Sequence, residues 1–82
     1  MNPHKIWRRI ERGNLDLSFV DFLRLAQAFG FQLDRIRGSH HILVHESAPV
    51  MLNLQAERRR AKRYQVRQLM AAVREHGLTL DE

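Results

Sequence analysis

Three histidines lie close together in the middle of the chain, directly after a glycine–serine pair. Gly38 and Ser39 precede His40 and His41, and His45 follows soon after. Histidine has an unperturbed pKa of about 6.5, so an imidazole can accept a proton near neutral pH. A Gly-Ser pair is typical of a turn, which predicts that the histidines begin a strand. These residues could perform acid–base chemistry, although from the residues alone an ordinary surface histidine is the favoured interpretation.

A strongly basic segment follows later in the chain. Within six consecutive positions it carries Arg58, Arg59, Arg60, Lys62 and Arg63. Such a run is often only a solvated loop, but this one exceeds what solubility requires. Its expected partner is either RNA phosphate or an acidic protein surface. Arg37, on the predicted turn before the histidines, is a further candidate for holding a phosphate.

A metal site is not expected from the histidines. His41 and His45 would share one strand face, but four strand residues span about 13 Å, too far for one ion. His40 would point the other way, and the nearest carboxylate, Glu46, lies in a predicted loop. The chain has no cysteine, so a disulfide or a thiolate metal site is excluded. We therefore expect chemistry without a metal or another cofactor.

Alternation along the second predicted strand, His40–His45, assigns its side chains to two faces. Ile42 and Val44 form the natural core-facing pair. The other face, which we expect to be open to solvent, then carries His41, Leu43 and His45. This alternation predicts that the imidazole of His41 is exposed on an uncovered sheet face.

The third predicted strand, Val50–Gln55, follows the same logic. The residues expected to face the core are Val50, Leu52 and Leu54. The residues expected to face outward, beside the histidines, are Met51, Asn53 and Gln55. Amide side chains would therefore neighbour the imidazoles on the open face.

The elements that must position these strands are three helices. Asn2 and a following proline predict a helix over Pro3–Arg12. Ser18 and Asp21 have the spacing of a capping box at the start of a second helix, which Gly30 ends. The last helix is predicted over Tyr64–His76, where apolar residues recur on one face.

The first strand is predicted over Phe31–Arg37, and a change of parity between Leu33 and Ile36 indicates either a bulge or an early turn. The order helix, helix, strand, strand, strand, helix predicts an α+β fold. We expect a three-stranded antiparallel sheet with helices on one face. The chain should form a single domain, with residues 1–13 as an N-terminal helical extension.

Composition limits the possible partners. The chain has 82 residues, a net charge of +5 and no stretch apolar enough for a membrane span. No signal peptide is recognisable, so a soluble cytoplasmic protein is expected. The positive charge favours RNA, DNA, anionic lipid or an acidic protein. Aromatic residues are only 7% of the chain, which disfavours base stacking as the main binding mode.

The Gly-Ser-x-His pattern, after a helix that ends at Phe29 and Gly30, resembles the HicA messenger-RNA interferases of bacterial toxin–antitoxin pairs. The resemblance runs from about Phe19 to Leu78 and leaves the first helix outside it. It implies a fold related to double-stranded-RNA-binding domains and metal-independent cleavage of RNA. It also implies a HicB-type antitoxin that covers the active face, in the bacterial cytoplasm.

The resemblance also implies residue roles. The family's functional histidine follows Gly-Ser-x, which is His41 in this chain, and it would take the proton of a ribose 2′-hydroxyl. Arg37 or the basic segment would hold the phosphate. The residues expected to bind RNA are Gly38, Ser39, His40, Arg37, His45, Arg58, Arg59, Arg60, Lys62 and Arg63. Two other functions stay open: a non-catalytic RNA-binding module, and a protein-interaction domain without nucleic acid.

Overall fold

The sheet and helices follow the predicted order in the computed structural model, which describes residues 1–80. The elements are α1 (Pro3–Glu11), α2 (Phe19–Ala28), β1 (Phe31–Arg37), β2 (His40–His45), β3 (Met51–Gln55) and α3 (Arg63–His76). The strands form one antiparallel sheet in the order β1-β2-β3. The α+β class and the antiparallel meander are confirmed. No helix within residues 1–80 is both long and apolar enough to cross a membrane.

Side chains at the helix starts satisfy free backbone N–H groups. The Asn2 side chain accepts a hydrogen bond from the His4 N–H at 2.8 Å, and the Ser18 hydroxyl accepts one from the Asp21 N–H at 3.1 Å. The Asp21 carboxylate does not return to the backbone of Ser18. It lies 3.4 Å from the amino group of Met1, so only one half of the predicted capping box forms.

A bulge in β1 keeps its apolar residues on one face. Leu33 pairs with Leu43, but the next pair joins Arg35 to Ile42, which leaves Asp34 unpaired. Of the two alternatives that the parity change left open, the structure shows the bulge and not the early turn. It places Ile36 on the same face as Leu33, toward the helices. Both side chains are about half exposed (Leu33 47%, Ile36 53%) because β1 is an edge strand.

The predicted faces of β2 are wrong. Leu43 is completely buried and pairs with the buried Leu52 of β3, and His41 pairs with the buried Leu54. Directly paired residues share a face. His41 therefore lies on the face that the helices cover, and Ile42 lies on the open face.

The error has a physical cause in the central position of β2. The strand carries Ile42, Leu43 and Val44 in succession, so either alternation gives an apolar core face. A central strand is shielded on both faces by its neighbours. Ile42 is only 5% exposed although it lies between Arg35 and Asn53 on the open face. The outward prediction for Asn53 and the inward prediction for Leu52 and Leu54 are confirmed.

Residues from all three helices share one hydrophobic core with the sheet. Ile6 and Ile10 of α1 are buried in it, together with residues of α2 and α3. Trp7 packs edge-to-face on Phe29, with ring centroids 4.7 Å apart. The first helix is therefore part of the core that supports the sheet.

Gly30 joins α2 to β1 where two constraints meet. Its φ is +99°, and a Cβ there would lie 2.6 Å from Nε2 of His45. Gly13 has a similar φ of +96°, but nothing lies within 4 Å of a Cβ at that position. Both glycines therefore have a positive φ that favours glycine, but only at Gly30 would a Cβ also collide with a neighbouring side chain.

We predict that Gly30→Ala lowers the free energy of unfolding by about 3 kcal/mol, since backbone strain of about 1–3 kcal/mol adds to displacement of His45. Gly13→Ala is the matched control and should lose only the strain contribution. Chemical denaturation of both variants measures the difference. Equal losses would show that the contact with His45 carries no cost.

Candidate active site

His41 lies at one end of the sheet, next to the turn between β1 and β2. Its ring packs edge-on against the ring of Phe19, the first residue of α2, with centroids 5.0 Å apart. Its Nδ1 lies 3.3 Å from the carbonyl oxygen of Ser39. The side chain is half-buried. Packing and this polar contact therefore fix the orientation of the imidazole.

The contact with Ser39 determines which ring nitrogen of His41 is free. A proton on Nδ1 can be donated to the Ser39 carbonyl, which leaves a lone pair on Nε2. Nε2 of His41 has no hydrogen-bond partner within residues 1–80. In this tautomer the outer nitrogen can accept a proton from a bound molecule.

A chain of hydrogen bonds connects a lysine to the same turn. Nζ of Lys62 donates to Oε1 of Gln55 at 3.1 Å, and Nε2 of Gln55 donates to the Ser39 hydroxyl at 2.7 Å. Ser39 thus holds His41 through its carbonyl and Gln55 through its hydroxyl. The sequence indicates for Gln55 only an outward position and does not assign this residue to the site. Its position at the end of β3, opposite His40, was the available signal.

The basic segment forms a small hairpin that docks on the start of α2. Glu57 and Arg60 exchange both backbone hydrogen bonds, at 3.0 and 2.9 Å. The carbonyl of Arg59 accepts the N–H of Phe19 at 2.9 Å. The hairpin is therefore fixed beside the residue whose ring packs on His41. The predicted basic segment and the predicted histidine meet at this end of the fold.

The arginines of this hairpin differ in how far their charges are already paired. Arg60 lies 2.8 Å from the carboxylate of Asp16. That hydrogen bond and charge hold the pKa of Asp16 below its usual value, and Arg63 and Arg9 add to the effect. Arg58 and Arg59 make no ion pair with any residue that the structure describes. Their guanidinium groups are the ones available to an anionic ligand.

His40 and Arg37 lie on the other face of the sheet. They pair with each other across β1 and β2, and Nδ1 of His40 lies 2.9 Å from Oδ1 of Asn53. Arg37 is close to His41 in sequence, but its strand position directs it to the open face. The structure therefore does not bring Arg37 together with His41 in the arrangement that was expected.

His45 lies at the far end of β2 and is held by the backbone around it. Its Nε2 donates to the Phe29 carbonyl at 2.7 Å, and its Nδ1 accepts from the N–H groups of Ser47 and Ala48, both at 3.1 Å. These bonds tie the end of α2 to the loop after β2. The expected RNA contact at His45 is thus far from the turn, on a ring whose nitrogens are both engaged.

A metal centre finds no support in the described part of the chain. No group of three or more histidine, cysteine, aspartate or glutamate side chains converges within residues 1–80. The chemistry that the His41 end can offer is a proton acceptor, a lysine linked to the turn and nearby unpaired arginines. This combination suits a substrate in which a hydroxyl that must lose its proton lies beside a phosphate.

Comparison with known families agrees with the geometry. The model of the family described as the HicA toxin of bacterial toxin–antitoxin systems matches residues 20–78. The match includes the whole sheet, the turn and α3, and it begins after α1. Neither the comparison with curated proteins nor the one with solved structures gives a match.

Because the match covers most of its 82 residues, the chain belongs to the HicA toxin family. Members of this family are the toxin halves of bacterial toxin–antitoxin pairs. The resemblance drawn from the Gly-Ser-x-His pattern is confirmed at this level.

The hairpin of the basic segment contains two strained residues. Arg58 and Arg59 have φ values of 50° and 66°, as in the two-residue turn that favours Asn-Gly. We predict that the double variant Arg58→Asn, Arg59→Gly is stabilised by about 1 kcal/mol, which raises Tm by about 4–8 °C in a domain of this size. Thermal unfolding measures this shift.

The matched control is Arg58→Gln with Arg59→Gln, which removes the same charges and keeps the strained backbone. Its Tm should stay close to that of the parent protein. Equal stabilisation of the two double variants would mean that charge repulsion, rather than backbone strain, destabilises the hairpin.

Proposed function

We propose that this protein is a metal-independent endoribonuclease that cleaves messenger RNA, with His41 as its general base. The observation that carries the proposal is the contact of Nδ1 of His41 with the Ser39 carbonyl at 3.3 Å. That contact orients the ring and leaves Nε2 free to take a proton. A histidine held in this way is what acid–base catalysis near neutral pH requires.

The proposed reaction starts at the ribose 2′-hydroxyl. Nε2 of His41 accepts the hydroxyl proton while the 2′ oxygen attacks the adjacent phosphorus. The bond from phosphorus to the 5′ oxygen of the next nucleotide breaks, and that oxygen takes up a proton from water. The products are a 2′,3′-cyclic phosphate and a 5′-hydroxyl. DNA lacks the attacking hydroxyl, so the activity is restricted to RNA.

Positive charge at this end of the fold supports the second requirement, stabilisation of the phosphate. Lys62 reaches the turn through Gln55, and the hairpin that carries Arg58 and Arg59 docks against Phe19. Cations fixed beside a reacting phosphate stabilise the charge that develops in the transition state. In this proposal Lys62 serves the reacting phosphate, and Arg58 and Arg59 bind its neighbours. In this proposal His40 and Arg37 contact only an RNA strand that passes over the open face of the sheet.

We propose a HicB-type protein in the cytoplasm as the antitoxin, seated over the His41 end. Two exposed apolar side chains flank this end. Ile36 pairs with His41 on the neighbouring strand and is 53% exposed, and Val20 follows Phe19 and is 57% exposed. Exposed apolar side chains beside a functional group favour a covering protein. Burying them would exclude RNA from His41 at the same time.

A non-catalytic RNA-binding module is the second candidate, and one observation favours it. The ring of His41 packs on Phe19 on the helix-covered face, where a histidine can serve packing alone. The basic hairpin would still bind phosphate in such a module. The two candidates differ in whether RNA is cut, which makes them separable in a single assay.

We predict that His41→Ala lowers the rate of RNA cleavage by about 10²–10⁴-fold, the usual contribution of one general base. RNA binding should change little. The assay uses labelled RNA in the presence of a chelator, with gel detection of the cyclic phosphate end. His40→Ala is the matched control, because it removes a neighbouring imidazole from the opposite face and should keep most of the activity.

Each result of this experiment assigns the function. Undiminished cleavage by the His41→Ala variant would refute the proposed base. RNA binding by the parent protein without any cleavage would favour the non-catalytic module. Loss of activity in both histidine variants would show that cleavage depends on the structure of the turn and not on the imidazole of His41 alone.

We predict that Ile36→Ser weakens binding of the antitoxin about tenfold or more, since burying an isoleucine contributes about 1.5–3 kcal/mol. RNA cleavage should be unchanged. Calorimetric titration with a HicB-type antitoxin protein measures the affinity. Met51→Ser is the control, because Met51 is 60% exposed on the open sheet face. If Met51→Ser alone weakens binding, the antitoxin covers the opposite face.

A further inference from the structure

A row of arginines runs along one side of α3, away from the sheet. Arg63, Arg67 and Arg74 are all exposed and are separated by four and seven residues. At 3.6 residues per turn these spacings place the three side chains on one helix face. Over eleven residues the row extends about 16 Å along the helix axis.

The end of α1 borders this row. A shallow groove between α1 and α3 is lined by Arg67 and Arg74 on one side and by Glu11 and Gly13 on the other. Arg12, the residue that ends α1, is exposed beside Gly13. Glu11 is the one carboxylate among the residues that line the groove, and it faces two arginines there, Arg67 and Arg74. We call Arg12, Arg63, Arg67 and Arg74 the helical arginine surface.

The charges of this surface are only partly offset within the described part of the chain, by Glu11 in the groove and by Asp16, whose pKa Arg63 helps to lower. None of its arginines takes part in an ion pair there, whereas Arg24 and Arg35 lie against Asp21 and Asp34. Grouped arginines with no partner repel one another, and a bound polyanion relieves that repulsion. The surface is therefore suited to an anionic ligand of extended shape.

We propose that the helical arginine surface binds the phosphate backbone of the RNA strand that flanks the cleavage site. The inference rests on the proposed function for its substrate. Arg63 directly follows Lys62, whose Nζ belongs to the hydrogen-bond chain that reaches Ser39. The arginine row thus begins at the His41 end and continues along α3.

RNA is favoured over an acidic protein as the ligand because the apolar side chains between the arginines, Ile10, Leu15, Met70 and Ala71, include no large one that is exposed. Protein interfaces usually bury large apolar or aromatic side chains at their middle. Within the described residues the large apolar side chains that are exposed lie elsewhere: Met1, Val20, Leu33, Ile36, Met51 and Tyr64. In the groove itself, Met70 and Leu15 are half-buried.

The test measures RNA affinity in a protein that carries His41→Ala, so that the RNA stays intact. Arg67→Gln and Arg74→Gln are combined, and binding is followed by fluorescence anisotropy with two RNA oligonucleotides. One has about 20 nucleotides and spans the surface, and the other has about 4 and reaches only the His41 end. The double variant should bind the long RNA about tenfold more weakly and the short RNA equally well. Its salt slope for the long RNA should fall by about 1.4, that is 0.7 for each lost contact with a single strand.

The matched control combines Arg24→Gln with Arg35→Gln, which removes two exposed arginines that already face carboxylates. It should retain the affinity for both oligonucleotides. Thermal unfolding of each variant checks that the fold is kept. An equal loss in the control would show that net charge alone attracts RNA, and the inference would fail.

Three further outcomes separate this inference from the proposed function. Unchanged binding of the long RNA by the Arg67→Gln, Arg74→Gln double variant overturns the inference. Weaker binding of the antitoxin by this variant, with RNA binding unchanged, overturns it as well. Arginine-dependent binding of the long RNA, together with no cleavage of RNA by the parent protein with His41 intact, would sustain the inference and reject the nuclease.

Discussion

The register of the central strand is the constraint on which the site depends. Leu43 of β2 is completely buried opposite Leu52, and this pair fixes the facing of every other residue in the strand. A slip of one residue would exchange the two faces. In the observed register His41 meets Phe19 at the start of α2, and His45 meets the carbonyl of Phe29 near its end. One helix therefore contacts both histidines.

These two histidines show how the surroundings decide the use of one residue type. Both nitrogens of His45 are engaged by backbone groups, so its ring joins α2 to the loop after β2. His41 has one nitrogen engaged by Ser39 and the other without a partner in residues 1–80. The first arrangement stabilises the fold. The second leaves a proton acceptor at a half-exposed position, which is what a chemical role requires.

The cations are arranged by the same packing. The strained hairpin at Arg58 and Arg59 is kept in place by backbone hydrogen bonds to residues at the start of α2. The helix that follows begins at Arg63 and carries its exposed arginines away from the His41 end. Positive charge thus begins beside the imidazole and extends along α3. Because the positive charge continues along α3, an RNA that extends beyond the reacting nucleotides can contact it.

Local sequence determined the elements of this protein, since caps, turn residues and apolar periodicity act over a few residues. It predicted the helices, the strands and an irregularity between Leu33 and Ile36, and it contains the Gly-Ser-x-His pattern that indicates the family. Only the tertiary structure decided which face His41 occupies, because Ile42, Leu43 and Val44 satisfy either alternation. The tertiary structure also places Arg37 and His41 on opposite faces of the sheet, and it places Gln55 within hydrogen-bond distance of Ser39. Those placements depend on pairing between strands and on the position of Phe19, which are set by residues far apart in the chain.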